Sequence, residues 1–109
     1  MLKLNTVFGQ EISVGFVGDL QRGLSLWCVD PEEGIPEPWC YITVALPHVV
    51  PLRPDEAFVR NWAEGKGIDR WLEANGIAKP TGKSIPSGFV NVPLFRFDMA
   101  KVDEHRFVF

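Results

Sequence analysis

Thr81-Gly82-Lys83-Ser84 is the first stretch whose residue types could do chemistry, because a glycine turn ending in Lys-Ser resembles the end of a phosphate-cradling P-loop. The leading glycine of that motif would fall at Ile77, and Gly76 misses the spacing by one residue. The stretch also reads as following a helix and leading into Ile85-Pro86-Ser87-Gly88. A P-loop instead joins a strand to a helix whose N-terminus faces the anion. An ordinary loop is the expectation.

The remaining reactive side chains form no catalytic or metal-binding constellation. His48 and His105 each lack a second histidine at ligand spacing, and the two thiols of Cys28 and Cys40 lack the two further ligands of a structural zinc site. Buried thiols are expected there, with a cross-strand disulfide as the alternative. Ser87 lies between Pro86 and Gly88, outside the G-x-S-x-G nucleophile turn. Neither cofactor nor metal is therefore expected. Carboxylates gather in Asp30-Pro31-Glu32-Glu33-Gly34-Ile35-Pro36-Glu37. A paired-acid site needs two of them held about 5 to 9 Å apart, which a Pro- and Gly-rich hairpin tip does not promise. Glu32, Glu33 and Glu37 read as a solvated loop or as an acidic contact surface for a basic partner.

These residues must be positioned by a fold that the composition already constrains. The chain has 109 residues, 46% hydrophobic and 23% charged, which suits one ordered domain with one core. A net charge of -3 with scattered basic residues argues against a nucleic-acid surface. No apolar run approaches the roughly 20 residues of a membrane span, and Met1-Leu2-Lys3-Leu4-Asn5 lacks a secretory h-region, so a cytoplasmic location is expected.

Segments 2 to 8, 11 to 17, 23 to 29 and 39 to 46 are rich in β-branched and aromatic residues and separated by turn residues, which predicts four strands of an antiparallel meander. Pairing the third and fourth around Gly34 sets Leu24 against Val44, Leu26 against Ile42 and Cys28 against Cys40. Pairing the second and third opposes Phe16 to Leu24, Val14 to Leu26 and Ile12 to Cys28, continuing one apolar face. A turn at Gly9-Gln10-Glu11 adds Phe8 opposite Ile12 and Leu4 opposite Phe16, and a two-residue Gly-Gln turn would instead reverse the first strand.

The apolar face needs a cover, and the chain offers one helix. Asn61-Trp62-Ala63-Glu64 fits a capping box, Gly76 supplies a left-handed stop, and Ile77 should meet Leu72; Gly65 and Gly67 leave 67 to 75 as the dependable part. Residues 78 to 87 read as a loop. Residues 88 to 97 read as a fifth strand, an edge or bulged one because of Pro93, with Val90, Val92, Phe95 and Phe97 on one face. Arg106-Phe107-Val108-Phe109 should dock on the sheet. The fold class is thus α+β, an antiparallel meander sheet of about five strands with one helix packed on one face.

On the face opposite the helix, Trp27, Trp39 and Tyr41 form an aromatic patch beside the acidic loop. Either Phe107 and Phe109 or residues 47 to 62 cover it, or it is an interface.

Pro54-Asp55-Glu56-Ala57-Phe58, Trp71-Leu72-Glu73-Ala74-Asn75-Gly76-Ile77, Pro80-Thr81-Gly82, Ser87-Gly88-Phe89 and Pro93-Leu94-Phe95-Arg96-Phe97 carry a resemblance. Over the last half of the chain, with a weaker echo at 23 to 46, the sequence resembles a family of small uncharacterised bacterial domains found on plasmids, conjugative elements and phages. The resemblance implies a shared fold and a mobile-element setting, and it carries no catalytic residue.

The functional expectation is a small non-catalytic protein-binding module. Trp27, Trp39 and Tyr41 would be its anchors, with Glu32, Glu33 and Glu37 steering a basic surface. The mobile-element setting makes a host defence complex one partner class, with anti-CRISPR-like inhibition by steric occlusion as an instance. The alternatives are a homodimeric structural accessory and an enzyme with an unrecognised acid pair.

Overall fold

The computed structural model of the chain describes residues 2–5, 9–29, 34–46, 49, 53–62 and 66–107. Among these, four strands form an antiparallel sheet in the order β1 (Leu2–Asn5), β2 (Glu11–Asp19), β3 (Gly23–Val29) and β4 (Pro36–Tyr41). A second sheet holds β5 (Glu56–Phe58), β6 (Ala78–Ser87) and β7 (Val90–Phe97), with β7 in the middle. Two short helices, α1 (Ile68–Ala74) and α2 (Met99–Glu104), complete the described elements. The class is α+β and the strand ladders are antiparallel. The arrangement corrects the expected single five-stranded meander with one helix.

Across β1 to β3 the expected faces hold, whereas the expected pairings are displaced along the strands. β2 and β3 set Val14 against Cys28 and Phe16 against Leu26, two residues from the expected match, because the turn between them is the three residues Leu20 to Arg22. β1 sets Leu2 against Val14 and Leu4 against Ile12, a displacement of four, and the competing reversal of the first strand's faces is not adopted. Phe8, expected opposite Ile12, lies outside the described residues. Even displacements return every side chain to its original face, which is why Val14, Phe16, Leu24 and Leu26 are all fully buried. β3 and β4 set Leu26 against Cys40 and then Trp27 against Pro38, leaving Trp39 as the extra residue of a bulge. Cys28 therefore faces Glu37 rather than Cys40, and both cysteines are free thiols, not a disulfide.

Beyond the bulge the chain leaves the first sheet and joins the second. Ile42 donates its N–H to Leu24 at 2.8 Å and accepts from Arg60 N–H at 2.7 Å, while Val44 N–H donates to the Phe58 carbonyl at 3.0 Å. This crossing stitches the two sheets, and Thr43 Oγ1 completes it by accepting from Leu24 N–H at 2.9 Å.

Helix α1 starts at Gly67, in the left-handed region at φ 85°, with no side-chain cap. Asn61 is therefore not its N-cap, and Ala63 and Glu64 lie outside the described residues. Trp62 instead packs on the cluster of Phe58, Val92 and Leu94 and receives the Arg60 guanidinium 5.8 Å over its ring. The stop is as expected: Gly76 at φ 68° donates to Glu73, and Ile77 N–H donates to the Leu72 carbonyl at 2.9 Å, the two bonds of a Schellman motif. Leu72 and Ile77 are fully buried in the same core as the first sheet's apolar face.

Residues 78 to 87 are strand β6, not a loop, and they form a hairpin with β7 through Gly88-Phe89. The polar composition misleads because most of this strand is exposed. Pro93 sits in a central strand, contrary to the edge expectation. Its carbonyl accepts from Val59 N–H at 2.9 Å, beyond the last β5 pair of Phe58 with Leu94, so its missing donor falls where β5 has ended. The bulge lies opposite, on β6 between Pro80 and Ser84. No re-aiming gathers Val90, Val92, Phe95 and Phe97: Val90, Val92 and Leu94 join one apolar cluster, and Phe95 and Phe97 join the main core.

Helix α2 has no counterpart among the expected elements. Asp98 caps it by accepting from Lys101 N–H at 3.3 Å, and Val102 is its buried anchor. It delivers the C-terminal segment to β2, where Phe16 N–H donates to His105 at 2.9 Å and Phe107 N–H donates to Phe16 at 3.1 Å. The segment docks on the sheet as expected, as far as Phe107; Val108 and Phe109 lie outside the described residues.

Candidate functional site

The aromatic candidates occupy the end of the first sheet where β4 is an edge. Tyr41 pairs with Ser25, and Trp27 pairs with Pro38. Trp27 is half-buried, and its Nε1–H donates to Ser25 Oγ at 3.2 Å. Across the ladder from Trp27 stands Gly15, over which the Phe107 ring lies. The C-terminal segment thus covers part of this face. Trp39 and Tyr41 remain 38% and 62% exposed, and Ile35, just before the same strand, is 60% exposed.

Glu37 is exposed on β4 opposite Cys28. Glu32 and Glu33 lie outside the described residues. The bulge at Trp39 was not legible in the sequence, although Pro36 and Pro38 on either side of Glu37 were its available signal, since prolines in a strand belong at edges and bulges.

Tyr41 also stands at the junction of two concavities that sequence reasoning missed. One, of about 550 Å³, lies between the β2–β3 turn, the crossing segment 43–46 and the residues leading into β5. The other, of about 400 Å³, is bounded by Tyr41, Thr43, Val44, Ala45, Arg60 and Trp62. The floor of the first includes Leu20, Val44, Leu46, Val49 and Phe58, and its polar lining includes Gln21, Arg22, Arg53 and Glu56. Glu56 is buried, with Arg96 Nη2 3.8 Å from its carboxylate.

The Thr81 to Ser84 stretch makes the β6 bulge, with Thr81 Oγ1 donating to the Leu94 carbonyl at 3.0 Å and accepting from Lys83 N–H at 3.2 Å. It opens no helix, so the phosphate-loop geometry is absent. Among the described residues no group of three or more His, Cys, Asp or Glu side chains could hold a metal ion. No helix among them is long and apolar enough to cross a membrane.

A family described as a domain of unknown function (DUF4313) matches residues 19–107. The match takes in β3 to β7 and both helices and leaves out β1 and all but the last residue of β2. The chain matches no curated protein and no solved structure at a significant level.

Proposed function

We propose, from the premise that the chain belongs to the DUF4313 family, that it is a non-catalytic protein-binding module working through the exposed face of β4. The observation that carries this reading is the placement of Ile35, Trp39 and Tyr41, three large apolar side chains left exposed on or just before one edge strand. Burying side chains of this kind against a partner gains about 1.5 to 3 kcal/mol each, and aromatic anchors dominate interface energetics. Pro36 and Pro38 lack the N–H groups that a partner strand would pair with, which favours recognition by side chains over strand addition. Trp27 supports the patch from within, and Glu37, with Glu32 and Glu33 preceding it in sequence, supplies an acidic border that suits a basic partner.

In this reading the protein acts in the cytoplasm by occluding a partner's surface. The mobile-element resemblance makes a host defence complex the first class to try. The test is capture from host lysate with the wild type and with Trp39→Ala plus Tyr41→Ala, after circular dichroism shows that the variant is folded. A partner retained by the wild type and lost by the variant supports the reading. The same partners held equally by both proteins would overturn it, and concentration-dependent loss of monomer in the wild type alone would replace it with a homodimer through this face.

A further inference from the structure

The larger concavity carries a separate inference. Its volume, about 550 Å³, lies within the range of small-molecule sites, about 300 to 1,000 Å³. Its two walls are tied together, because Gln21 Nε2 in the β2–β3 turn donates to the Pro54 carbonyl at 3.3 Å ahead of β5. That bond holds the β2–β3 turn to the residues ahead of β5.

Its charges do not balance. Arg96, outside the lining, stands 3.8 Å from the buried Glu56 carboxylate and 4.0 Å from that of Asp55, so those two carboxylates are already engaged. The guanidiniums of Arg22 on one wall and Arg53 on the other make no ion pair among the described residues, the Asp19 carboxylate accepting from the Arg22 backbone N–H at 2.7 Å. Two guanidiniums that border an apolar floor suit a ligand with a negative head and an apolar body, since arginine binds carboxylates through paired, charge-assisted hydrogen bonds. The geometry points to a binding site for a small amphiphilic carboxylate. Its chain lies along Val44, Leu46 and Phe58, and its head meets Arg22 and Arg53.

Decanoate and its neutral counterpart decanol are the probes, titrated into the full chain with amide chemical shifts as the readout. Saturable one-to-one binding of decanoate is expected, with shifts at Leu20 to Gly23 and Thr43 to Leu46, and decanol should bind about tenfold more weakly. The double change Arg22→Gln and Arg53→Gln should bring decanoate down to the affinity of decanol while leaving the thermal midpoint unchanged. Both residues are exposed. Absence of saturable shifts, or equal affinity of the wild type for the two probes, would overturn the assignment. Trp39→Ala should leave decanoate binding intact, so this site and the β4 face can fail independently.

Discussion

The ring of Phe107 lies so close over Gly15 that a Cβ at position 15 would stand 2.9 Å from its Cδ2 and Cε2, and 2.9 Å from the His105 carbonyl oxygen. That carbonyl accepts from Phe16 N–H, so a side chain at 15 would press on two of the contacts that hold the C-terminal segment to β2. Gly15→Ala should cost about 1 to 3 kcal/mol, the usual penalty for overpacking. Chemical denaturation measures it. Adding Phe107→Ala should recover part of the loss, a coupling between neighbours that a double-mutant cycle isolates. Strictly additive costs would show that the ring does not press on position 15.

Trp71 ties α1 to β1. Its Nε1–H donates to the Lys3 carbonyl at 2.8 Å, and its ring meets Phe16 at a centroid separation of 6.4 Å. Trp71→Phe keeps most of the ring contact and removes the donor, so a loss of about 0.5 to 1.5 kcal/mol is expected. Hydrogen exchange should show the effect locally, with amides of β1 exchanging faster than those of β3. Uniform acceleration across the sheet would mean that the contact supports the whole fold and not the first strand.

Gly76 is the left-handed residue after α1, where alanine would be strained by about 1 to 2 kcal/mol. A Cβ there would meet only the flexible end of Lys101, with Nζ at 3.3 Å, so space is not the obstacle. Gly76→Asn should therefore be tolerated better than Gly76→Ala, because asparagine adopts this conformation more readily. Equal thermal midpoints for the two variants would contradict a conformational origin.

What the residues made legible follows the same division between conformation and context. Gly76 and Ile77 identified the helix stop because a left-handed glycine followed by an apolar contact is a local pattern. The buried face of Val14, Phe16, Leu24 and Leu26 was legible because alternation fixes which side a residue faces. Alternation cannot distinguish displacements of two or four, and turn length decided those: the three residues Leu20 to Arg22 moved Phe16 from Leu24 to Leu26. β6 was illegible because most of its residues are exposed, and its partner β7 supplies the apolar face of the hairpin. The concavity between Arg22 and Arg53 had no sequence signal, since its walls are brought together by long-range contacts, among them the crossing at Thr43 and Val59 and the bond from Gln21 to Pro54.

That crossing begins where β4 ends as an open edge, and the edge carries its own guard. β4 is the last strand of its sheet, and Pro36 and Pro38 occupy it on either side of Glu37. Proline is accommodated in a strand where its absent N–H would face away from the paired neighbour, which on β4 is the open side. Replacing both with threonine would restore two donors on a strand that already exposes Trp39 and Tyr41, the combination that templates edge-to-edge pairing. Pro36→Thr with Pro38→Thr should therefore self-associate with rising concentration while retaining the wild-type circular dichroism spectrum. Sedimentation velocity would detect the larger species. A second pair of changes, Trp39→Ser and Tyr41→Ser, made in that background, should leave the association in place if backbone donors drive it, and abolish it if the exposed rings do.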